Sequence, residues 1–112
     1  MEIFNKALTK KEIVGLQKTY GDYLKLTIDV EKEIITAGMK LHTDGEKMLL
    51  NQESKQENIW GGGINLKTKQ IDFTAVLNIR PRLGNDGLEI LDQKMRQKFR
   101  QTVEKIFKNL WS

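Results

Sequence analysis

The sequence contains no cysteine, one proline, one histidine and two serines among 112 residues. Without cysteine the chain can form neither a disulfide nor a thiolate zinc site, and it has no thiol nucleophile. Neither Ser54 nor Ser112 lies in a Gly-x-Ser-x-Gly turn, and no glycine pattern matches a phosphate-binding loop. The usual templates for thiol hydrolases, serine hydrolases and P-loop nucleotidases therefore do not fit.

Long apolar runs are also missing. No run approaches the ~20 residues that span a bilayer, and the N-terminus has acid and amide groups where a signal peptide is apolar. With no cysteine, these features lead us to expect a cytoplasmic protein that does not associate with membranes. A length of 112 residues with 38% hydrophobic and 30% charged residues is typical of one folded domain, which we expect to span residues 1–112.

The net charge of +4 has a local origin. Residues 91–112 hold six Lys or Arg and two acids, a difference of +4, whereas the first 90 residues hold 13 of each. Five side chains form a polar stripe on the C-terminal segment: Lys94, Lys98, Gln101, Lys105 and Lys108. Such a stripe can follow phosphates, but it has no interleaved aromatic residue to stack on bases. A solvated helix face is the favoured interpretation, and we do not expect nucleic-acid binding.

Capping signals and apolar periodicity predict three helices, over residues 10–20, 44–52 and 93–110. The first two begin at capping boxes, Thr9-x-x-Glu12 and Thr43-x-x-Glu46. The third begins at Asp92 and carries a long apolar stripe. A further capping box, Ser54-x-x-Glu57, predicts one additional turn before Trp60.

Alternation of apolar and polar residues predicts strands over residues 23–30, 35–42 and 71–80. The first two are expected to form a hairpin around Glu31-Lys32-Glu33, although a continuous helix through 28–37 would also accommodate these residues. The strand over 71–80 has the clearest alternation, and Pro81 should end it because proline has no amide to donate.

Three consecutive glycines, Gly61-Gly62-Gly63, interrupt the pattern and are interpreted as a flexible entry or a bulge. Ile64 and Leu66 then lead into the last strand, which makes a second hairpin. The prediction is an α+β domain in which about four strands form an antiparallel sheet. The first and third helices pack on one face, and the other face is partly polar.

Four polar side chains are predicted to converge on this sheet. His42 ends the second strand on its polar face, and Asp72, Asn78 and Arg80 share the polar face of the last strand. An arginine binds carboxylate or phosphate, an asparagine orients a ligand, and a histidine moves protons or binds metal. These residues predict a pocket for a small polar or anionic ligand. An equally weighted alternative gives these residues a purely structural role. In that case Arg80 pairs with an acid such as Asp72, and Asn78 closes a loop through backbone hydrogen bonds.

The segment His42-x-Asp44-x-Glu46 has the composition of a metal site but not its spacing. It is expected to span the junction between a strand and a helix, where three side chains do not converge. Helix capping explains Glu46, and the helix dipole favours Asp44. We therefore predict no metal site. Trp60 is interpreted as an anchor of its loop in the core, with a ligand platform as the alternative.

Several segments together resemble a known family. They are Val30-Glu31-Lys32-Glu33-Ile34, Leu41-His42-x-Asp44-x-Glu46, Leu49-Leu50, Ser54-x-Gln56-Glu57-x-Ile59-Trp60-Gly61, Leu77-Asn78-Ile79-Arg80-Pro81 and Asn85. This pattern is similar to a group of small uncharacterised proteins from cyanobacteria, other bacteria and archaea, a domain of unknown function, over about Asp29 to Ile106. The resemblance implies no activity, substrate or cofactor. It singles out these ligand-binding candidates: His42, Asp44, Glu46, Gln56, Trp60, Asn78, Arg80 and Asn85.

The chain departs from the family pattern at two places. Asn85-Asp86-Gly87 stands where members usually have Asn-Arg-Ser, which replaces a cation with an acid. If that arginine belongs to the family's site, this chain lacks one of its anion-binding groups. Met39-Lys40 stands where Gly-Gly usually precedes Leu-His.

The leading hypothesis is a small-molecule site in which Arg80 holds an anion, Asn78 orients it, and His42 or Glu46 moves a proton if a reaction occurs. The alternative is a non-catalytic interaction module that binds protein or nucleic acid through the basic C-terminal helix or the Trp60 loop. The sequence gives no cofactor, ligand identity, catalytic residue or oligomeric state.

Overall fold

The computed structural model describes all 112 residues, which form three α-helices and one five-stranded sheet. The strands are β1 (Glu2–Phe4), β2 (Tyr23–Asp29), β3 (Ile34–Ala37), β4 (Ile59–Asn65) and β5 (Ile71–Asp72). The helices are α1 (Lys10–Tyr20), α2 (His42–Asn51) and α3 (Gln93–Ile106), with 3₁₀ turns at Gln56–Asn58, Val76–Asn78, Pro81–Leu83 and Lys108–Leu110. The α+β prediction is confirmed, with five strands instead of about four.

The sheet has the order β1-β3-β2-β4-β5, and all neighbouring strands are antiparallel. The register aligns Leu26 with Ala37 on one side and Gly62 on the other, and Ile28 with Ile35 and Trp60. Because successive side chains of a strand point to opposite faces, aligned residues share a face. One face is therefore built from apolar side chains of β2, β3 and β4.

Helices α1 and α3 cover this apolar face, as predicted. Ile13 and Leu16 of α1 and Phe99, Val103 and Ile106 of α3 are buried in one core with the apolar residues of the sheet. Fully burying one such side chain contributes roughly 1.5–3 kcal/mol. Burial of the α3 stripe therefore secures the C-terminal end of the chain.

The second face of the sheet is polar, and helix α2 covers it. Thr27 and Thr36 are fully buried there, and each donates its hydroxyl to a backbone carbonyl, of His42 and of Thr27 respectively. A Cβ atom at Gly45 of α2 would lie 2.4 Å from the Thr36 Oγ1 atom, so glycine permits this close approach. The expectation that helices occupy one face only is thus corrected.

The predicted strand over 71–80 is wrong beyond Asp72. After β5 the chain leaves the sheet, and Asn78 takes the place of a strand at the edge of β4. Its side-chain amide accepts from the Gly61 N–H and donates to the Gly61 carbonyl, both at 2.9 Å. The alternation in sequence arises because Phe73, Ala75 and Leu77 are buried in a folded loop.

The three glycines are neither a flexible entry nor a bulge, because Gly61 to Gly63 lie in the long strand β4. A Cβ atom at Gly62 would be 2.3 Å from the Asp72 carbonyl oxygen and 2.7 Å from Phe99 Cζ. Neighbouring groups therefore occupy the space of a side chain. The missing side chains let β5 and α3 approach β4 closely.

The predicted hairpin of β2 and β3 is confirmed, and the buried Asp29 forms its turn. One carboxylate oxygen of Asp29 accepts from the Glu31 and Lys32 amides, and the other accepts from the Ser54 hydroxyl at 2.6 Å. Ser54 therefore supports this turn and does not cap a helix, although the additional turn predicted after it is present at Gln56–Asn58.

Helix α2 begins earlier than predicted, and β3 ends earlier. The strand stops at Ala37, since Gly38 has a positive φ of 85°. His42 is consequently the first residue of α2, not the last of a strand. The predicted cap at Thr43 is wrong, because the Asp44 carboxylate accepts from the Leu41 amide at 3.3 Å. None of the three helices combines the length and the apolar composition needed to cross a bilayer.

Candidate functional site

His42 is directed at strand β4 from the start of α2. Its Nε2 atom lies 2.8 Å from the Gly62 carbonyl oxygen, which can only accept, so Nε2 carries the proton and Nδ1 keeps a lone pair. Burial lowers the pKa of His42, and the charge of Lys25 lowers it further. The hydrogen bond to Gly62 and the charge of Asp72 act in the opposite direction. His42 is therefore neutral at pH 7.

Asn78 is fully buried, and its amide is saturated with backbone partners. Besides both groups of Gly61, it donates to the Phe73 carbonyl at 3.1 Å and the Leu88 carbonyl at 3.0 Å. A carboxamide has two donors, and three acceptors already surround them. Asn78 thus fastens the 73–88 segment to β4 and presents no group to a cleft.

Asn85 supports the next turn of the chain in the same way. Its Nδ2 atom donates to the carbonyls of Asn78, Gly87 and Glu89, and its Oδ1 accepts from the Leu91 amide at 2.8 Å. The backbone of Asn85 also pairs with that of Arg80 in both directions. Together the two asparagines hold Arg80 in place.

Arg80 is the centre of a cluster that also contains Glu46, Gln56 and Trp60, which we call the Arg80 cluster. The guanidinium donates to Glu46 Oε2 at 3.2 Å and to the main-chain carbonyl of Gln56 at 2.9 Å. It also lies 5.0 Å from the centroid of the Trp60 ring, within range of a cation–π interaction. Arg80 thus pairs with an acid, as the alternative interpretation expected, but this acid is Glu46 and not Asp72, which was named as an example.

Burial affects the charges of this ion pair. The side chains of Arg80 and Glu46 are only 11% and 16% exposed. Burial lowers the pKa of Arg80, and the charge and hydrogen bond of Glu46 oppose this effect. An arginine remains protonated in proteins. The cluster therefore holds a permanent cation at a fixed position.

Trp60 belongs to the core but has one unsatisfied group. The residue is 3% exposed and packs with the apolar side chains of the sheet. Its indole Nε1 is the one buried side-chain nitrogen or oxygen atom without a hydrogen-bond partner. An unpaired buried donor generally costs about 1–3 kcal/mol.

Two clefts adjoin at the Arg80 cluster. The first, of about 510 Å³, is called the cationic cleft and is lined by Lys55, Gln56, Glu57, Arg80, Arg82 and Leu83. The second, of about 560 Å³, is called the apolar cleft and is lined by Glu57, Asn58, Trp60, Leu83, Gly84, Asn85, Leu91, Asp92 and Met95. Glu57 and Leu83 line both, so they form the border between the two clefts.

Comparison with known proteins identifies the family. The family model described as "Protein of unknown function (DUF5674)" matches residues 2–106. The chain belongs to this family. No curated protein and no solved structure matches the chain. The DUF5674 assignment agrees with the resemblance found in the sequence and adds no activity.

In this DUF5674 protein the predicted site residues do not converge on one place. Glu46, Gln56, Trp60 and Arg80 come together in the Arg80 cluster, and Asn85 lines the adjoining apolar cleft. His42 and Asn78 bond to neighbouring residues of β4 and line neither cleft.

Asp72 lies apart from Arg80 and accepts from the Tyr23 hydroxyl at 2.6 Å. Burial, with the hydrogen bond to Asp72, raises the pKa of Tyr23. The Asp44 carboxylate accepts a hydrogen bond from the Leu41 amide at the start of α2. No three side chains of the His, Cys, Asp and Glu types come together as a metal-binding group.

Sequence reasoning missed the other residues of the two clefts. Arg82 stands in no recognisable motif, and Glu57 was noted only as part of the Ser54-x-x-Glu57 capping box and of the family pattern. Their proximity depends on the 3₁₀ turns at Gln56–Asn58 and Pro81–Leu83, which lie far apart in sequence. The available signals were that Arg82 follows Arg80 by two positions and that Glu57 follows Gln56 in the family pattern.

The basic stripe of the DUF5674 protein is partly neutralised within the chain. Lys98 and Lys105 of α3 form ion pairs with Glu31 and Glu33 of the β2–β3 turn. These contacts attach α3 to the hairpin. They also reduce the positive charge that the stripe could offer to a nucleic acid.

Proposed function

We propose that this protein binds a small polar or anionic ligand in the cationic cleft. The observation that carries the proposal is the meeting of three cations, Lys55, Arg80 and Arg82, with a single acid, Glu57. Arginine forks bind carboxylate and phosphate groups through paired, charge-assisted hydrogen bonds. A volume of about 510 Å³ lies within the usual range of small-molecule sites.

Arg80 is preorganised for this role. A guanidinium has five N–H donors, and in Arg80 the protein uses one at each terminal nitrogen. The Glu46 carboxylate, the Gln56 carbonyl and the Trp60 ring fix its plane before a ligand arrives. Binding to a group that is already ordered avoids the loss of side-chain entropy that a free arginine would suffer.

Arg82 supplies the adaptable part of the site. It is exposed and makes no side-chain contact with an acid or a carbonyl group. In the proposed site Arg80 provides the fixed cation, and Arg82, two residues further along in the same 3₁₀ turn, closes on the ligand. Asn78 has a positioning role, because it fastens the segment that carries both arginines.

Proton transfer is not required by the proposal. If a reaction takes place, the candidate to move a proton is Glu46, which contacts Arg80; His42, one turn earlier on α2, bonds to Gly62 and lines neither cleft. The proposed location is the cytosol, with which a chain that lacks disulfides is compatible.

The test is calorimetric titration of the wild-type protein with inorganic phosphate and with small mono- and dicarboxylates. Saturable binding is expected, and Arg82→Ala should weaken it by about tenfold or more, the effect of losing one charge-assisted hydrogen bond. Lys67→Ala is the matched control, because Lys67 is exposed and remote from both clefts. Absence of saturable binding, or equal binding by Arg82→Ala and wild type, would overturn the proposal.

A further inference from the structure

We infer that the ligand is an amphipathic zwitterion, of which an α-amino acid with an apolar side chain is the smallest example. This inference rests on the proposed function and names the ligand class for the same site. It follows from the way in which charge and apolar surface are divided between the two clefts.

The border between the clefts carries an unpaired negative charge. Glu57 is exposed and forms neither a hydrogen bond nor an ion pair through its carboxylate, although Arg80 lines the same cleft. The side chain of Arg80 is held by Glu46 instead. A ligand with an anionic group only would bring that charge toward Glu57 and be repelled by it. A ligand that also has an ammonium group would pair with both Arg80 and Glu57.

The second cleft offers apolar surface beside this pair of charges. Trp60, Leu83, Leu91 and Met95 line it, and Leu83 and Leu91 are 48% and 49% exposed. Large aliphatic side chains at the rim of a cleft provide area that a ligand can bury, worth roughly 25 cal/mol per Å². The other acid of this cleft besides Glu57 is Asp92, which already accepts from the Met95 amide at the start of α3. The apolar cleft thus suits an aliphatic or aromatic group.

Each part of an apolar amino acid has a partner in this arrangement. The carboxylate meets Arg82 and the free donors of Arg80, the ammonium meets Glu57, and the side chain enters the apolar cleft. Because Glu57 lines both clefts, the charged groups and the apolar group can be joined at one carbon atom. Inorganic phosphate would use only the first of these three contacts.

The test compares four probes by calorimetry with the full chain: L-phenylalanine, 3-phenylpropionate, 2-phenylethylamine and inorganic phosphate. The first three share the phenyl group and differ in the charged groups. We expect L-phenylalanine to bind at least about tenfold more tightly than 3-phenylpropionate and 2-phenylethylamine, since each lacks one charge-assisted contact. Glu57→Gln should abolish the advantage over 3-phenylpropionate, whereas Glu104→Gln, an exposed acid of α3, should retain it.

The outcomes separate this inference from the proposed function. If phosphate or 3-phenylpropionate binds in an Arg82-dependent manner and L-phenylalanine binds no better, the zwitterion inference fails and the anion site stands. If none of the probes binds, both fail. Glu57→Gln should unfold at the wild-type temperature, because the Glu57 side chain has no partner to lose, so altered binding cannot be attributed to misfolding.

Discussion

Replacing Arg80 by alanine should destabilise the protein by about 2–4 kcal/mol. Breaking a buried ion pair generally costs about 3–5 kcal/mol, because the remaining charge is left without a partner. The Glu46 side chain is 16% exposed, so water relieves part of this penalty. Loss of the hydrogen bond to the Gln56 main-chain carbonyl and of the contact with Trp60 adds to the penalty, which brings the total to about 2–4 kcal/mol. Such a loss is a large fraction of a typical folding free energy.

The assay is urea denaturation followed by tryptophan fluorescence, with Trp111→Phe as the background so that Trp60 is the single reporter. A double-mutant cycle with Glu46→Gln isolates the pair, and we expect a coupling energy of about 1–2 kcal/mol. A loss smaller than about 1 kcal/mol for Arg80→Ala, with no coupling to Glu46, would refute the ion-pair reasoning. Arg80 would then be held in place without structural benefit, as binding residues often are.

The remaining predictions concern Gly62 of β4, two residues that bond to β4, Asn78 and His42, and Gly15 of α1 as a contrast. Gly62→Ala should lower the free energy of unfolding by about 1–3 kcal/mol or prevent folding, because its Cβ atom would lie 2.3 Å from a carbonyl oxygen. Gly15→Ala, in a helix with open space around it, should raise the free energy of unfolding by up to about 1 kcal/mol, measured by urea denaturation. Asn78→Ala should lose about 3 kcal/mol or more in the same assay, because it leaves the Gly61 N–H and carbonyl unpaired, and a change below 1 kcal/mol would contradict its role. The lowered pKa of His42 means that the unfolded chain binds the proton more readily, so the contribution of His42 to the free energy of unfolding should be present above pH about 6.5 and be lost as the pH falls below it. His42→Gln should flatten this dependence between pH 7.5 and 5.5, and an equal slope in both proteins would count against it.

The parts of the fold that the sequence predicts well are those with local causes. Helix α1 follows from the Thr9 and Glu12 capping box, which is present in full, and α3 from its apolar stripe and its cap at Asp92. The β2–β3 hairpin follows from alternation on both strands. In each case the residues that specify the element lie within it.

The failures have non-local causes. The alternation of apolar and polar residues over 71–80 indicates that every second side chain is buried. A strand has this pattern, but so does the loop that Asn78 fastens to β4. The glycines of β4 are explained by Phe99 and Tyr23, which approach from other elements. No local pattern of residues encodes such a contact.

The sequence identified several residues of the candidate site but not how they are arranged in space. Arg80, Glu46 and Trp60 were all candidates, yet the pairing of Arg80 with Glu46 joins positions 34 residues apart. The convergence with His42 was expected on two strands that end earlier than predicted, at Ala37 and at Asp72. Because His42 is the first residue of α2, its ring contacts the Gly62 carbonyl and not Arg80.

The side chain of Asn78 also has a consequence for solubility. Strand β5 is only two residues long and pairs with Gly63 and Ile64, so without Asn78 the outer edge of β4 at Gly61 would present a free backbone donor and acceptor. An open edge is a template on which another molecule can add a strand, and it is a common starting point for aggregation. By occupying both backbone groups of Gly61, one amide closes this edge. Loss of Asn78 would therefore create an adhesive surface between molecules as well as a weaker fold within each one.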